Sequence, residues 1–81
     1  MASKGAVLIT NFKLKGDYIT LAQFLKELTY ISSGGQAKWF LAENTVYVNG
    51  ESEQRRGKKL HSGDQVKIGQ DEFMIQGLLV D

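Results

Sequence analysis

Cysteine is absent from this 81-residue sequence, and histidine occurs once. Both a disulfide framework and a zinc site built on cysteine and histidine are therefore excluded. Residues 1–4 carry no apolar signal-peptide core, and no apolar run approaches the roughly 18 residues that span a bilayer. We expect a cytoplasmic, monomeric protein with no metal, no other cofactor and no membrane partner.

Proline is also absent, and no repeat, low-complexity tract or linker divides the chain. Hydrophobic residues make up 42% of it, which is ordinary for a globular protein. A chain of this length supports one hydrophobic core. We therefore expect a single domain over residues 1–81, with its core at about 18–68.

Charge is nearly balanced, at a net +1, so the whole-molecule charge indicates no particular partner. Its distribution is more informative, because four of the ten basic residues lie close together in a stretch without acids. We call this stretch the basic loop: Arg55, Arg56, Lys58 and Lys59. Taken alone, it suits a solvated surface loop as well as a nucleic-acid contact.

An extended segment is predicted before the first helix. Val7–Lys15 places apolar residues near alternate positions, with lysines between them. Thr20 and Gln23 then form a capping box, the pattern that begins a helix. Helical spacing puts four apolar residues on one face: Leu21, Phe24, Leu25 and Leu28.

A second helix is predicted after the interruption at Gly34 and Gly35. Ser33 and Gln36 repeat the capping-box pattern, and Asn44 suits a left-handed residue at the C-terminal end. The short apolar stripe between them consists of Ala37, Phe40 and Leu41.

Strands and turns fill the remaining chain. Val46–Val48 alternates, and Asn49-Gly50 is a strong hairpin signal because both residues accept positive φ. Further strands are predicted at Gln65–Ile68 and Phe73–Ile75, and Leu78–Val80 is expected either to extend a strand or to pack on the sheet. The tight turn at residues 62–64 is expected to be held by the Asp64 side chain. The predicted fold class is α+β: two packed helices followed by a small antiparallel sheet.

Four separated blocks of this sequence resemble one known family. Their patterns are I-T-L-x-Q-F-L-K, S-G-G-x-A-K-W-F-L, V-N and R-R-G-x-K-L-x-x-G-D, and they stand at Ile19–Lys26, Ser33–Leu41, Val48–Asn49 and Arg55–Asp64. The chain thereby resembles the S-four RNA-binding domain, and within it the small stand-alone bacterial proteins called YaaA-like. The resemblance implies the S-four fold and a role in binding structured RNA, ribosomal or transfer RNA, with ribosomal particles as a further partner.

One position departs from the wider family. Many members carry arginine directly after the serine that begins the second helix and use it on RNA, whereas this chain has Gly34 there. The basic loop is correspondingly richer in cations, so the contact surface is expected to shift toward it. The alternative is a protein-interaction adapter that keeps the fold without binding RNA.

The candidate contacts suit RNA, which proteins recognise mainly by backbone charge and shape. Arginine can bind phosphate bidentately, lysine acts as a point charge, and glycine permits close approach. The candidate RNA-binding residues are Lys26, Gly34, Gly35, Gln36, Lys38, Trp39, Arg55, Arg56, Lys58 and Lys59. For Trp39 two outcomes stay open: partial burial against the sheet, or an exposed ring that stacks on a base or sugar.

Catalytic patterns are weak. His61 and Ser62 are adjacent, and neighbouring residues in a turn do not place a base onto a nucleophile. Gly34-Gly35 lacks the context of a dinucleotide or phosphate-binding fingerprint. We therefore expect a protein that is not an enzyme, acting in translation or ribosome assembly.

Overall fold

The computed structural model describes residues 9–77, so Val7, Leu8 and the predicted Leu78–Val80 extension lie outside the described residues. Within this range the elements are β1 Ile9–Lys13, β2 Tyr18–Thr20, α1 Leu21–Glu27, α2 Ala37–Glu43, β3 Val46–Val48, β4 Glu51–Ser52, β5 Lys59–His61, β6 Gln65–Ile68 and β7 Asp71–Gln76. A three-residue 3-10 turn, Gly34–Gln36, leads directly into α2. No helix in this range is long and apolar enough to cross a membrane.

The strands form two sheets. Five strands pair in the order β1-β7-β6-β3-β4, and β2 pairs with β5 in a separate antiparallel ribbon. β1 runs parallel to β7, while the other pairs of the larger sheet are antiparallel. The α+β class is confirmed, but the predicted order is wrong: β1 and β2 precede the helices, and the sheet is mixed.

Helix α1 begins as predicted. The Thr20 hydroxyl accepts from the Gln23 amide at 3.2 Å, and the Gln23 side chain accepts from the Thr20 amide at 3.4 Å. The helix buries its apolar face and is capped at its C-terminal end by Leu28, which is followed by Thr29 in a left-handed conformation with φ 64°. A β-branched residue is rarely found there, so no local signal predicts this end of the helix.

Helix α2 begins and ends differently from the prediction. Ser33 makes no side-chain cap; instead the Gln36 side-chain oxygen accepts from the backbone amide of Ser32 at 2.6 Å. The 3-10 turn causes this difference, because it places Gln36 where its side chain reaches back to the preceding loop. Asn44 is extended rather than left-handed, and its side-chain amide donates to the Phe40 carbonyl at 3.1 Å.

Turn chemistry fixes the strands that follow. Asn49 and Gly50 have φ of 53° and 87°, which confirms the predicted hairpin. Asp64 holds the next turn as expected, since its carboxylate accepts from the His61 amide at 2.8 Å. The same carboxylate accepts from the Asn49 side chain at 3.0 Å, so one aspartate joins the hairpin to the following turn.

The core lies between α1, α2 and the inner faces of the strands. Phe24 is fully buried and meets Phe12 and Phe73 edge-on, with ring centroids 5.0 and 5.5 Å away. The buried hydrophobic residues are Leu14, Leu21, Phe24, Leu25, Ile31, Ala37, Leu41, Val46, Val48, Leu60, Val66, Ile68, Phe73 and Ile75. The packed core therefore includes residues on both sides of the expected 18–68 range.

Candidate nucleic-acid interface

The backbone of the basic loop is bound to the start of α1. Leu21 and Ala22 donate their amides to the Lys58 and Arg56 carbonyls, at 2.8 and 2.9 Å. Amides in the first turn of a helix have no hydrogen-bond partner within the helix, so these two bonds give partners both to the α1 amides and to the loop carbonyls. Pairing of β2 with β5 holds the end of the loop from the other side. The loop is thus tied down by its main chain, while Arg55, Arg56 and Lys59 are exposed and Lys58 is partly buried.

One loop cation already has a partner. The Arg55 guanidinium donates from Nε and Nη2 to the two Glu53 carboxylate oxygens, at 2.9 and 3.3 Å, and the Arg55 amide donates to the same carboxylate at 3.0 Å. These bonds, with the nearby charge of Lys58, lower the pKa of Glu53 to about 2. The positive charge of Arg55 is therefore offset inside the protein, although its side chain is 77% exposed.

Arg56 faces α2. It lines an open groove of about 350 Å³ together with Lys38, Leu41, Ala42 and Gln54. The basic loop and the second helix thus line one concavity together, and each contributes a cation to it. We call it the α2–loop groove.

Trp39 is exposed beside this groove, with 66% of the residue accessible to solvent. The Lys38 ammonium lies 5.9 Å from the centre of the indole ring. Burial against the sheet, the first of the two outcomes left open by the sequence, is therefore wrong. An indole and a neighbouring cation are together available to a ligand.

The glycine pair before α2 is exposed, and neither the packing around it nor its backbone conformation requires glycine. A Cβ added to Gly34 or Gly35 would meet no atom within 4 Å, and neither residue has positive φ. Gln36 is also exposed, but its side-chain oxygen is occupied by Ser32.

The remaining candidates lie elsewhere. Lys58 and Lys59 line a separate concavity of about 530 Å³ with Arg55, Asn49 and His61 among its other residues. Lys26 projects from the exposed side of α1 and lines neither of these two concavities. The structure thus brings Lys38 and Arg56 together, puts three loop cations on an adjoining surface, and sets Lys26 apart.

Sequence reasoning missed two residues at this site. Gln54 lines the α2–loop groove, but its polar side chain carries no distinguishing pattern. Glu53 neutralises Arg55, and here a signal was available, since an acid two residues before an arginine can fold back on it. Among residues 9–77, no group of three or more His, Cys, Asp or Glu residues could hold a metal ion.

The family is established by comparison with known proteins. A model of the S4 domain matches residues 12–76, and the chain therefore belongs to the S4 domain family. Over 52 residues it is 58% identical to the probable ribosome maturation protein RlbA of Bacillus subtilis (strain 168), covering 64% of this chain and 73% of that protein. No solved structure matches the chain. The resemblance identified from the motif blocks is confirmed.

Proposed function

We propose that this protein binds structured RNA, ribosomal or transfer RNA, in ribosome assembly or translation, and that the α2–loop groove is the centre of the contact. The observation that carries the proposal is the meeting of Lys38 and Arg56 at one groove beside the exposed Trp39. The S4 family and the Bacillus relative, a probable ribosome maturation protein, support the same class of partner.

The groove suits RNA for electrostatic and steric reasons. A-form RNA offers phosphates and 2′-hydroxyls rather than a readable major groove, so cations on a fixed surface are the required chemistry. Arg56 can bind a phosphate with two parallel hydrogen bonds, and Lys38 supplies a second point charge. The bare backbone at Gly34 and Gly35 allows a phosphate chain to approach the start of α2 closely.

The loop cations differ in their expected contributions. Lys58 and Lys59 extend the positive surface from the groove to the adjoining concavity. Arg55 contributes less than the sequence suggests, because its guanidinium is bound to Glu53. Lys26 is peripheral to the groove.

Salt dependence tests the proposal. Trp39 is the one tryptophan of the sequence, so its fluorescence reports binding at the groove without a label. With a ribosomal RNA hairpin as the probe, engagement of four to six phosphates gives a slope of log K against log salt of roughly −3 to −5. Lys38→Ala and Arg56→Ala should each weaken binding and make the slope shallower by about 0.7–0.9.

Lys67→Ala is the matched control, since Lys67 is an exposed lysine on β6 that does not line the groove. It should leave both the affinity and the slope close to those of the parent protein. Affinity without salt dependence, or equal losses in all three variants, would contradict the proposal. A protein that binds no RNA but retains a protein partner would favour the adapter alternative.

A further inference from the structure

The β2–β5 ribbon presents a second surface with the chemistry of a nucleotide contact. Tyr18 lies opposite His61 in the antiparallel register, and Thr20 lies opposite Lys59. Side chains two residues apart on a strand point to the same face, so Tyr18, His61 and Lys59 share the outer face. Leu60, on the other face, is fully buried in the core.

All three residues are exposed, and Tyr18 lies close to each of the other two. The Lys59 ammonium lies 4.9 Å from the centre of the Tyr18 ring, and the Tyr18 and His61 rings are 6.0 Å apart with a tilt of 50°. Tyr18 is 45% exposed, although its strand is paired with β5. We call this set of three residues the ribbon face.

A positively charged groove adjoins the ribbon face. Tyr18 lines a concavity of about 350 Å³ whose charged lining residues are Lys13, Lys15, Lys26 and Glu27. Three lysines against one glutamate favour an anionic ligand. We call this concavity the lysine groove; it includes Lys26, the candidate that lies apart from the α2–loop groove.

We propose that the ribbon face and the lysine groove bind an unpaired nucleotide next to the RNA duplex held at the α2–loop groove. This inference rests on the proposed function. An exposed ring among cations fits a nucleotide, because the base stacks on the ring while the phosphates face the lysines. A continuous duplex does not present the face of a base in this way, so the ribbon face selects single-stranded RNA. Lys59 belongs to both the basic loop and the ribbon face, and the same loop supplies Arg56 to the α2–loop groove, so the chain connects the two surfaces within four residues.

Two groups of RNA probes separate this inference from the proposed function. One is a blunt RNA hairpin, and the others are the same hairpin with four unpaired adenosines at the 3′ or the 5′ end. The parent protein should bind one extended hairpin more tightly than the blunt one, by about five- to a hundredfold for a stacked base. Tyr18→Ala should abolish this preference and leave the affinity for the blunt hairpin unchanged, whereas Tyr18→Phe should retain the preference.

Tyr47→Ala is the matched control, since Tyr47 is a similarly exposed tyrosine, 40% accessible, on β3 of the larger sheet. It should bind all the probes as the parent does. Equal affinity of the parent for blunt and extended hairpins would overturn this inference but not the proposed function. A preference that survives in Tyr18→Ala would do the same. Equal affinity is also the result expected if the ribbon face binds a protein partner. Failure of the parent to bind the blunt hairpin would instead count against the proposed function. If Tyr18→Ala is poorly folded by thermal melting, Lys59→Gln replaces it and should reduce the same preference.

Discussion

Replacing Glu53 with glutamine tests whether the protein restrains one of its own cations. The Glu53 carboxylate binds the Arg55 guanidinium through both oxygens and also accepts from the Arg55 amide. Glutamine keeps the size and one acceptor oxygen but removes the charge. Arg55 should then become available to RNA phosphate, so that affinity rises and the salt slope steepens by roughly 0.7–0.9.

Stability should change in the opposite direction. The side chain of Glu53 is only 12% exposed, but its partner Arg55 is largely in solvent, which screens their attraction. We therefore expect Glu53→Gln to lower the free energy of unfolding by about 1 kcal/mol, or roughly 4–8 °C in Tm for a domain of this size. Tighter RNA binding with lower stability is the signature of a cation released from an internal partner.

Acid titration supplies an independent measure. The pKa of Glu53 is lowered from 4.5 to about 2, so between these values the unfolded chain binds the proton more readily than the folded one. The stability that Glu53 contributes is complete above pH 4.5 and is lost as the pH falls toward 2. The difference in stability between the parent and Glu53→Gln should therefore close over that range.

Thermal unfolding followed by circular dichroism between pH 2 and pH 7, together with RNA titrations at several salt concentrations, measures both effects. Glu51→Gln is the control, because Glu51 is an exposed glutamate on the adjacent strand β4. It leaves the Glu53–Arg55 ion pair in place and should therefore not steepen the salt slope by a comparable amount. Parallel acid profiles for the parent and Glu53→Gln, with an unchanged salt slope, would refute the argument.

Two further predictions concern the fold. Leu25→Ala should lower the free energy of unfolding by about 2–5 kcal/mol, since Leu25 is fully buried. Urea unfolding measures this change, and a value well below 1 kcal/mol would show that α1 does not anchor the core. Tyr30 donates to the Asp71 carboxylate at 2.6 Å, and burial together with that carboxylate raises the pKa of Tyr30 to about 12. The stability contributed by Tyr30 is thus present below pH 10 and lost as the pH rises toward 12. Tyr30→Phe should therefore be about 1 kcal/mol less stable than the parent at pH 8, and the difference should shrink by pH 11. A difference that stays constant with pH would contradict the raised pKa of Tyr30.

Local signals in the sequence predicted the elements that depend on local chemistry. The Thr20–Gln23 capping box, the Asn49-Gly50 hairpin and the Asp64 turn each depend on bonds within a few residues, and all three are confirmed. The Ser33–Gln36 pattern failed although its spacing was the same, because the 3-10 turn changed where the glutamine side chain could reach.

Long-range relations could not be obtained from local patterns. The alternation near Ile9–Lys13 indicates a strand but says nothing about its partner, and so the parallel pairing with β7 was missed. At the candidate site, the return of the chain after the Asn49-Gly50 hairpin predicts that the basic loop and Lys38 lie on one surface, but not which loop cation faces the lysine. Only the fold places Arg56 beside Lys38 and leaves Trp39 exposed.

The parallel pairing of β1 with β7 has a consequence for folding during synthesis. Ile9 is matched with Glu72, so the first described strand has to wait for the last one before its hydrogen bonds can form. Closing a loop of nearly the whole chain is entropically costly, and such distant contacts slow folding. During synthesis, α1 and the strands up to β6 can assemble while β1 is still unpaired and β6 exposes an open edge. We therefore expect the emerging chain to remain incomplete and vulnerable to aggregation until β7 has left the ribosome.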